Sequence, residues 1–326
     1  MRRRRGLALC LCAAALAAAL AAFGCAGGGR ARAAPPAATW ATPLFWHAQS
    51  PGGGGFYLLG SVHIRAVDAP AFGPEIEQAY RRSDAVVVEV DVSHVTPADV
   101  ESHTQRYATL PPHLRLDALL APETRKLLAR YVESRGLPAD PIQRFKPWFV
   151  AQLILVTELE AAGYDAALGV DRGFIDQASG EKTIVGLETI ASQLAVLDGL
   201  SPEIQELMLK DTLLRIDELA GTTAKLMDAW SRGDEAGLEQ QIFEPLEETP
   251  EFEAYYDALI WQRNVSMAAR LVELARDGQT RFVVLGAGHM LGAKGIPALL
   301  VAQGFVVERV RPGEALLSPD VAAPPP

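Results

Sequence analysis

Arg281-Phe282-Val283-Val284-Leu285-Gly286-Ala287-Gly288-His289-Met290-Leu291-Gly292 is an apolar run that ends in glycines and a histidine. A β-branched and aromatic run bounded by glycine reads as a buried strand. Gly292 to Gln303 then reads as a helix, and Phe305 to Val310 as another strand. Near the other end of the chain, Phe56 to Gly60 runs into Ser61-Val62-His63 and repeats the pattern strand-G-x-x-H. The glycine is expected to permit a tight turn that brings each histidine to the sheet edge.

The intervening sequence gives these two strands their context. Leu44 to Ala48 faces Phe56 to Gly60 across Pro51-Gly52-Gly53-Gly54-Gly55, which reads as a loose hairpin turn and not as a phosphate cradle. Pro74 to Arg82 is a short helix, and Ala85 to Asp91 is a buried strand, which suggests a right-handed parallel crossover. Helices are expected over Pro122 to Ser134, Pro147 to Ala162, Thr189 to Asp198, Pro202 to Leu219 and, in pieces, Thr223 to Arg276. Thr183 to Gly186 is a short strand among them. The fold class is therefore mixed α/β, a central sheet of N- and C-terminal strands around a large helical insertion. Residues 44–312 form the domain, 34–43 a linker and 313–326 a loose tail.

Composition narrows the function. Thirty Lys+Arg oppose 40 Asp+Glu for a net charge of −10, and 49% of the 326 residues are apolar, enough for a sizeable core. Residues 1–33 read as an export signal: Arg2 to Arg5 form a basic start, followed by an Ala-rich uncharged stretch. Ala22-Phe23-Gly24-Cys25 resembles a lipobox, with Cys25 as the lipidated residue, and Ala31-Arg32-Ala33 offers an ordinary cleavage site. Removing Arg2 to Arg5 leaves 26 basic residues and a net charge of −14; losing Arg30 and Arg32 as well leaves 24 and −16. Such acidity argues against nucleic acid. The expected location is periplasmic or membrane-anchored, with membrane contact only through the signal or a lipid. Cys10, Cys12 and Cys25 are the only cysteines, so any chemistry of the body falls to His, carboxylates, hydroxyls or Arg.

Four polar residues sit at strand ends: His63, Glu89, Glu188 and His289. A histidine there can be an ordinary loop residue, Glu188 can favour a helix start beside Thr189, and Arg263-Asn264 can lie on a solvated helix face. Glu89, however, interrupts a strand of four valines, where a carboxylate needs a cation, a proton or hydrogen bonds. Gly286 to Gly292 with Glu308 downstream also imitates a dinucleotide fingerprint. Against that alternative, His289 and Met290 put bulk where a pyrophosphate would approach, and few residues follow Glu308.

In order and spacing the chain resembles the TraB/GumN family, related to the TIKI-type proteases and distantly to erythromycin esterase-like proteins. The matching pieces include Leu58 to His63, Val86 to Val90, Pro147-Trp148 and Gly169-Val170-Asp171. They continue with Val185 to Thr189 and Gln193, Trp230 to Asp234, Arg263-Asn264 with Met267, and Val284 to His289. The resemblance implies a mixed α/β fold with paired G-x-x-H histidines and glutamates at the active site. For the TIKI branch it implies a metal-dependent protease using manganese or cobalt.

Two imidazoles and one or two carboxylates suit a divalent metal with open positions, which would activate water and polarise a carbonyl. The expected ligands are His63, Glu89 and His289, with Glu188 as general base or fourth ligand and Arg263 as oxyanion partner. Gly60, Gly286 and Asn264 are expected to support them. A metal-free His–Glu pair activating water is the other hydrolytic scheme. The expected substrate is a peptide or small ester. The non-enzymatic alternative is an exported module that binds haem or a peptide without turnover.

Overall fold

The computed structural model describes residues 40–314 and residue 316. The expected leader, with Cys25, lies outside the described residues. No described helix is long and apolar enough to cross a membrane.

Six strands make one mixed sheet: β1 (Phe45–Gln49), β2 (Gly55–Ser61), β3 (Ala85–Val90), β4 (Thr183–Glu188), β5 (Thr280–Gly286) and β6 (Val306–Arg309). Their spatial order is β4-β3-β5-β2-β1-β6. β2, β5, β3 and β4 pair in parallel, while β1 is antiparallel to both β2 and β6. The apolar runs explain the centre. β2, β3 and β5 are buried along their whole length, as parallel strands covered on both faces require. Expectation and structure agree here: strands from the two chain ends meet in the sheet, and helices fill most of the sequence between them.

Local chemistry sets the joints. Gly53 and Gly54 take positive φ of 89° and 67° in the β1–β2 turn, so the glycine run is a hairpin turn. The helices that frame the site are α1 (Pro74–Arg82), α2 (Pro147–Ala161), α3 (Val170–Ala178), α4 (Ile190–Asp198), α5 (Leu219–Ser231), α6 (Glu235–Glu248), α7 (Gln262–Leu274) and α8 (Ile296–Ala302). Proline begins α1 and α2, where its missing N–H is not needed. Trp148 on α2 is fully buried. On one sheet face Phe282 packs against Tyr80 of α1 and Phe174 of α3, at 5.8 and 4.7 Å between ring centres. Trp230 of α5 donates its Nε1–H to the Gly60 carbonyl at 2.9 Å, tying the helical insertion to β2.

Three boundaries differ from expectation. Within the expected linker, Ala41 is buried and its N–H donates to Ala71 O, while Thr42 N–H donates to Ser231 O. Leu316, within the expected tail, is buried as well. The last helix starts at Ile296 and not at Gly292, because Gly292 adopts a left-handed φ of 68° and Gly295 precedes the first helical turn.

Candidate functional site

The strand order lines up the four polar residues. Glu188 is the last residue of β4, and Glu89 stands near the end of β3. His289 lies in the 3-10 turn after β5, and His63 follows β2 by two residues. Because these four strands are parallel, all four residues emerge at one edge, the carboxyl edge where open α/β sheets place ligands. β2 and β5 pair with Gly60 opposite Leu285 and Ser61 opposite Gly286, so the two G-x-x-H segments are offset by one residue.

Contacts join the row from one end to the other. The Arg263 guanidinium on α7 donates to Glu188 through Nε at 3.0 Å and NH2 at 2.7 Å, and to Glu89 Oε2 through NH2 at 2.6 Å. Gln193 Nε2 of α4 donates to Glu89 at 3.1 Å and to Glu188 at 2.9 Å. The other Glu89 oxygen accepts the Gly286 N–H at 2.8 Å and lies 3.6 Å from His289 Nε2. A methyl group placed on Gly286 would come within 3.1 Å of Glu89 Oε1, 3.4 Å of His289 and 3.5 Å of His63 Nε2. Glycine is needed there for close approach. Neither Gly60 nor Gly286 has positive φ, so the expected turn requirement is absent; at Gly286 closeness to Glu89 takes its place, whereas a methyl group on Gly60 would meet only ordinary contacts.

Each histidine is held by its Nδ1. His63 Nδ1 lies 2.8 Å from Asp171 Oδ2, and Ser61 Oγ donates to the other Asp171 oxygen at 2.7 Å. An ionised carboxylate has no proton to offer, so His63 donates from Nδ1. His289 Nδ1 lies 2.6 Å from Asn264 Oδ1. Asn264 Nδ2 donates to Lys294 O at 2.8 Å, which fixes the amide and makes its oxygen the acceptor. In a neutral ring, donation from Nδ1 leaves Nε2 unprotonated. His289 Nε2 is buried with no hydrogen-bond partner.

Burial is the main cause that pushes the His289 pKa down to about 3, with Glu89 opposing and Arg263 and His63 assisting; the ring is neutral at ordinary pH. Burial acts the other way on Glu89 and penalises its charge. His289, Arg263, His63 and the Gly286 N–H outweigh that penalty and hold the carboxyl well below the usual range. A neutral His289 contributes little positive charge near pH 7, so the permanent cation of Arg263 and the N–H donor carry this stabilisation.

Two expected roles change with this geometry. Arg263 does not face the cleft as an oxyanion partner: its Nε, NH1 and NH2 are engaged by Glu188, Leu259 O and Glu89. It is a clamp on two carboxylates. Glu188 meets Arg263 and Gln193, which gives it a supporting position behind Glu89. Asn264, expected as a support, holds His289. Asp171 and Ser61 had no assigned role in the sequence, although Gly169-Val170-Asp171 marked the position; an aspartate in the first turn of α3 otherwise reads as a helix-start residue.

The dinucleotide alternative fails on topology. A fingerprint needs the glycine turn to open directly into a helix and an acidic residue on the neighbouring strand. Here a 3-10 turn and further residues separate β5 from α8. Glu308 lies on β6, with both β2 and β1 between it and β5.

The chain belongs to the TraB/PrgY/gumN family, whose sequence pattern matches residues 44–309. It is 24% identical over 252 residues to the uncharacterized protein YbaP of Escherichia coli K12, covering 77% of this chain and 89% of YbaP. It is 25% identical over 315 residues to the metalloprotease TIKI2 of Danio rerio, covering 80% of this chain and 59% of TIKI2. No solved structure matches the chain.

Among the described residues, no group of three His, Cys, Asp or Glu is gathered closely enough to be a ready metal cage. The chemistry of the donors nevertheless fits a divalent cation. Two imidazoles are fixed through Nδ1, the way histidine ligands are commonly oriented. The orphaned His289 Nε2 lies next to an ionised carboxylate oxygen.

Proposed function

We propose that the protein is an exported hydrolase of peptide or small ester bonds, and that His63, Glu89 and His289 hold a divalent metal such as manganese or cobalt. The observation that carries this reading is the buried, partnerless Nε2 of a neutral His289, 3.6 Å from Glu89 Oε1. A buried polar atom left without a partner costs about 1–3 kcal/mol. A metal ligand is the use that best explains its retention beside a charged carboxylate.

When bound, such a metal would lower the pKa of a water and polarise a substrate carbonyl. The chain's own residues prepare that chemistry. Asp171 and Asn264 keep both imidazoles in the tautomer with Nε2 as electron-pair donor. Arg263 and Gln193 keep Glu89 ionised and aimed at Gly286, while Glu188 balances the second half of the guanidinium charge. Gly286 leaves room for a reacting group between the two rings.

Export rests on the basic, Ala-rich leader of residues 1–33, and Cys25 is the proposed lipid attachment site. Cys25→Ala is expected to abolish acyl labelling and membrane partitioning. The hydrolase reading is tested by assaying peptides and esters with chelator-treated protein, before and after manganese or cobalt is restored. Activity that appears only with metal supports it. Binding of a peptide without turnover under every metal condition would favour the ligand-binding alternative.

A further inference from the structure

We infer that the cleft beside His63 and His289 is a selectivity pocket for an aliphatic group, so that the substrate carries a hydrocarbon side chain or acyl chain next to the bond that reacts. This rests on the hydrolase reading and adds its substrate class. The cleft is small, with about 40 Å³ for the centres of water-sized groups, opens to solvent on one side, and is lined by both histidines. Its far wall is hydrocarbon: Leu226 from α5, with Leu238 and Ile242 from α6.

Among the described residues, the two histidines are the only ionisable groups lining this cleft. The nearby charges of Glu89, Glu188 and Arg263 lie outside its lining and are committed to one another. A cationic substituent entering the cleft would lose hydration and find no countercharge, and an anionic one seated against the leucine wall would be desolvated away from the proposed metal. A hydrocarbon would be removed from water against Leu226, Leu238 and Ile242, which favours its binding. The pocket also meets the reactive side directly. Gly286 is one of its lining residues, and its missing side chain is what keeps space open beside His63 Nε2 and His289. A hydrocarbon seated on the leucine wall therefore brings its neighbouring carbonyl to the imidazoles.

An aliphatic side chain of a peptide and the acyl chain of an ester share this chemistry, so two substrate series separate the sources. Nitrophenyl esters from acetate to hexanoate form one series, with the half-ester of succinate as its charged member. Peptides varying only between Val, Leu, Asp and Lys at one position form the other. With the full metal-loaded chain, kcat/KM is expected to rise at least about 10-fold across the favoured series, in line with discrimination by one or two methylenes, and to fall at least as much for charged members. Leu226→Ala should move the optimum toward longer chains and Leu226→Phe toward shorter ones.

A binding measurement separates the pocket from catalysis. With isoleucine methyl labels, N-acetyl-leucinamide is expected to shift the Ile242 resonance, and N-acetyl-aspartamide to leave it unmoved. A shift without turnover of any substrate would keep the pocket and overturn the hydrolase. No shift with the hydrocarbon probe, or equal rates for charged and aliphatic substrates, would overturn the pocket.

Discussion

A buried arginine stands near each end of β5, Arg281 in the strand itself and Arg263 reaching over from α7, and the two are built differently. At the entrance, Arg281 donates to Leu274 O, Gln279 and Asp277, all within seven residues of it. Its partner Asp277 keeps a side chain 46% exposed. Hydrogen bonds from Arg281 are the main cause that holds the Asp277 carboxyl at about 2. At the exit, Arg263 reaches Glu188 and Glu89, 75 and 174 residues away in sequence, with side chains 13% and 2% exposed. The entrance pair is a local staple whose carboxylate stays hydrated. The exit cluster exists only once four strands and α7 have assembled, and it removes three charges from water. Burying an ion pair is a poor route to stability, so the exit cluster is better explained by the neutral histidine and ionised carboxylate that it sets up.

That contrast is most exposed to failure at the histidines. His63→Ala and His289→Ala are each expected to lower hydrolysis by about 100- to 10,000-fold with the fold retained, and the double variant should lose less than the product of the two. Full activity in a stable single variant would remove the chemical role of the exit end. Asp277→Asn, at the entrance, should leave rates unchanged.

Stability separates the two arginines next. Arg263→Met leaves Glu89 buried without its cation and is expected to cost about 3–5 kcal/mol in chemical denaturation. Asp277→Asn, which alters a solvent-facing group, should move the midpoint far less. Equal shifts would erase the distinction between staple and cluster.

A smaller effect is expected from the residue that orients His63. Asp171→Asn preserves shape but weakens the acceptor for Nδ1–H, and should reduce metal affinity or kcat by about 10- to 100-fold with KM little changed. A loss in KM alone would make Asp171 a substrate contact and not a positioning residue.

The pH dependence is the mildest test. His289 titrates near 3 in the folded chain and near 6.5 when unfolded, so the unfolded state binds the extra proton between those values. Stability of the metal-free protein is therefore complete above about pH 6.5 and falls as pH drops toward 3, by at most about 1.4 kcal/mol per pH unit from this group. Glu89, with its lowered pKa, adds loss in the same direction at the acid end of that range. His289→Gln should flatten the upper part of the curve, and an unchanged slope would show that the ring is not buried neutral.

Much of this was legible in the sequence because burial conflicts with chemistry at particular residues. Glu89 within four valines announced a compensated charge, and the two G-x-x-H runs marked adjacent strand ends. The Arg263 role was not legible: arginine on a helix is equally at home in solvent, and only the packing of α7 beside β4 turns it inward. Asp171 was hidden for the same reason, since an acidic residue in a first helical turn has a local explanation. The glycines were found for the wrong cause; Gly286 is tight against Glu89, 197 residues away in sequence, a crowding that spacing alone does not reveal. Strand order was likewise beyond local pattern, because β4 comes from within the helical insertion and β1 alone runs against the rest.

The most direct measurement is calorimetric titration of cobalt into chelator-treated protein near pH 7.5, followed by the visible absorption of the bound ion. One site per chain is expected, with an absorption band characteristic of nitrogen and oxygen ligation, and with both binding and band lost in His63→Ala, His289→Ala and Glu89→Gln variants that remain folded. Binding that survives unchanged in all three, or none in the parent protein, would contradict the assignment of these residues as a metal centre.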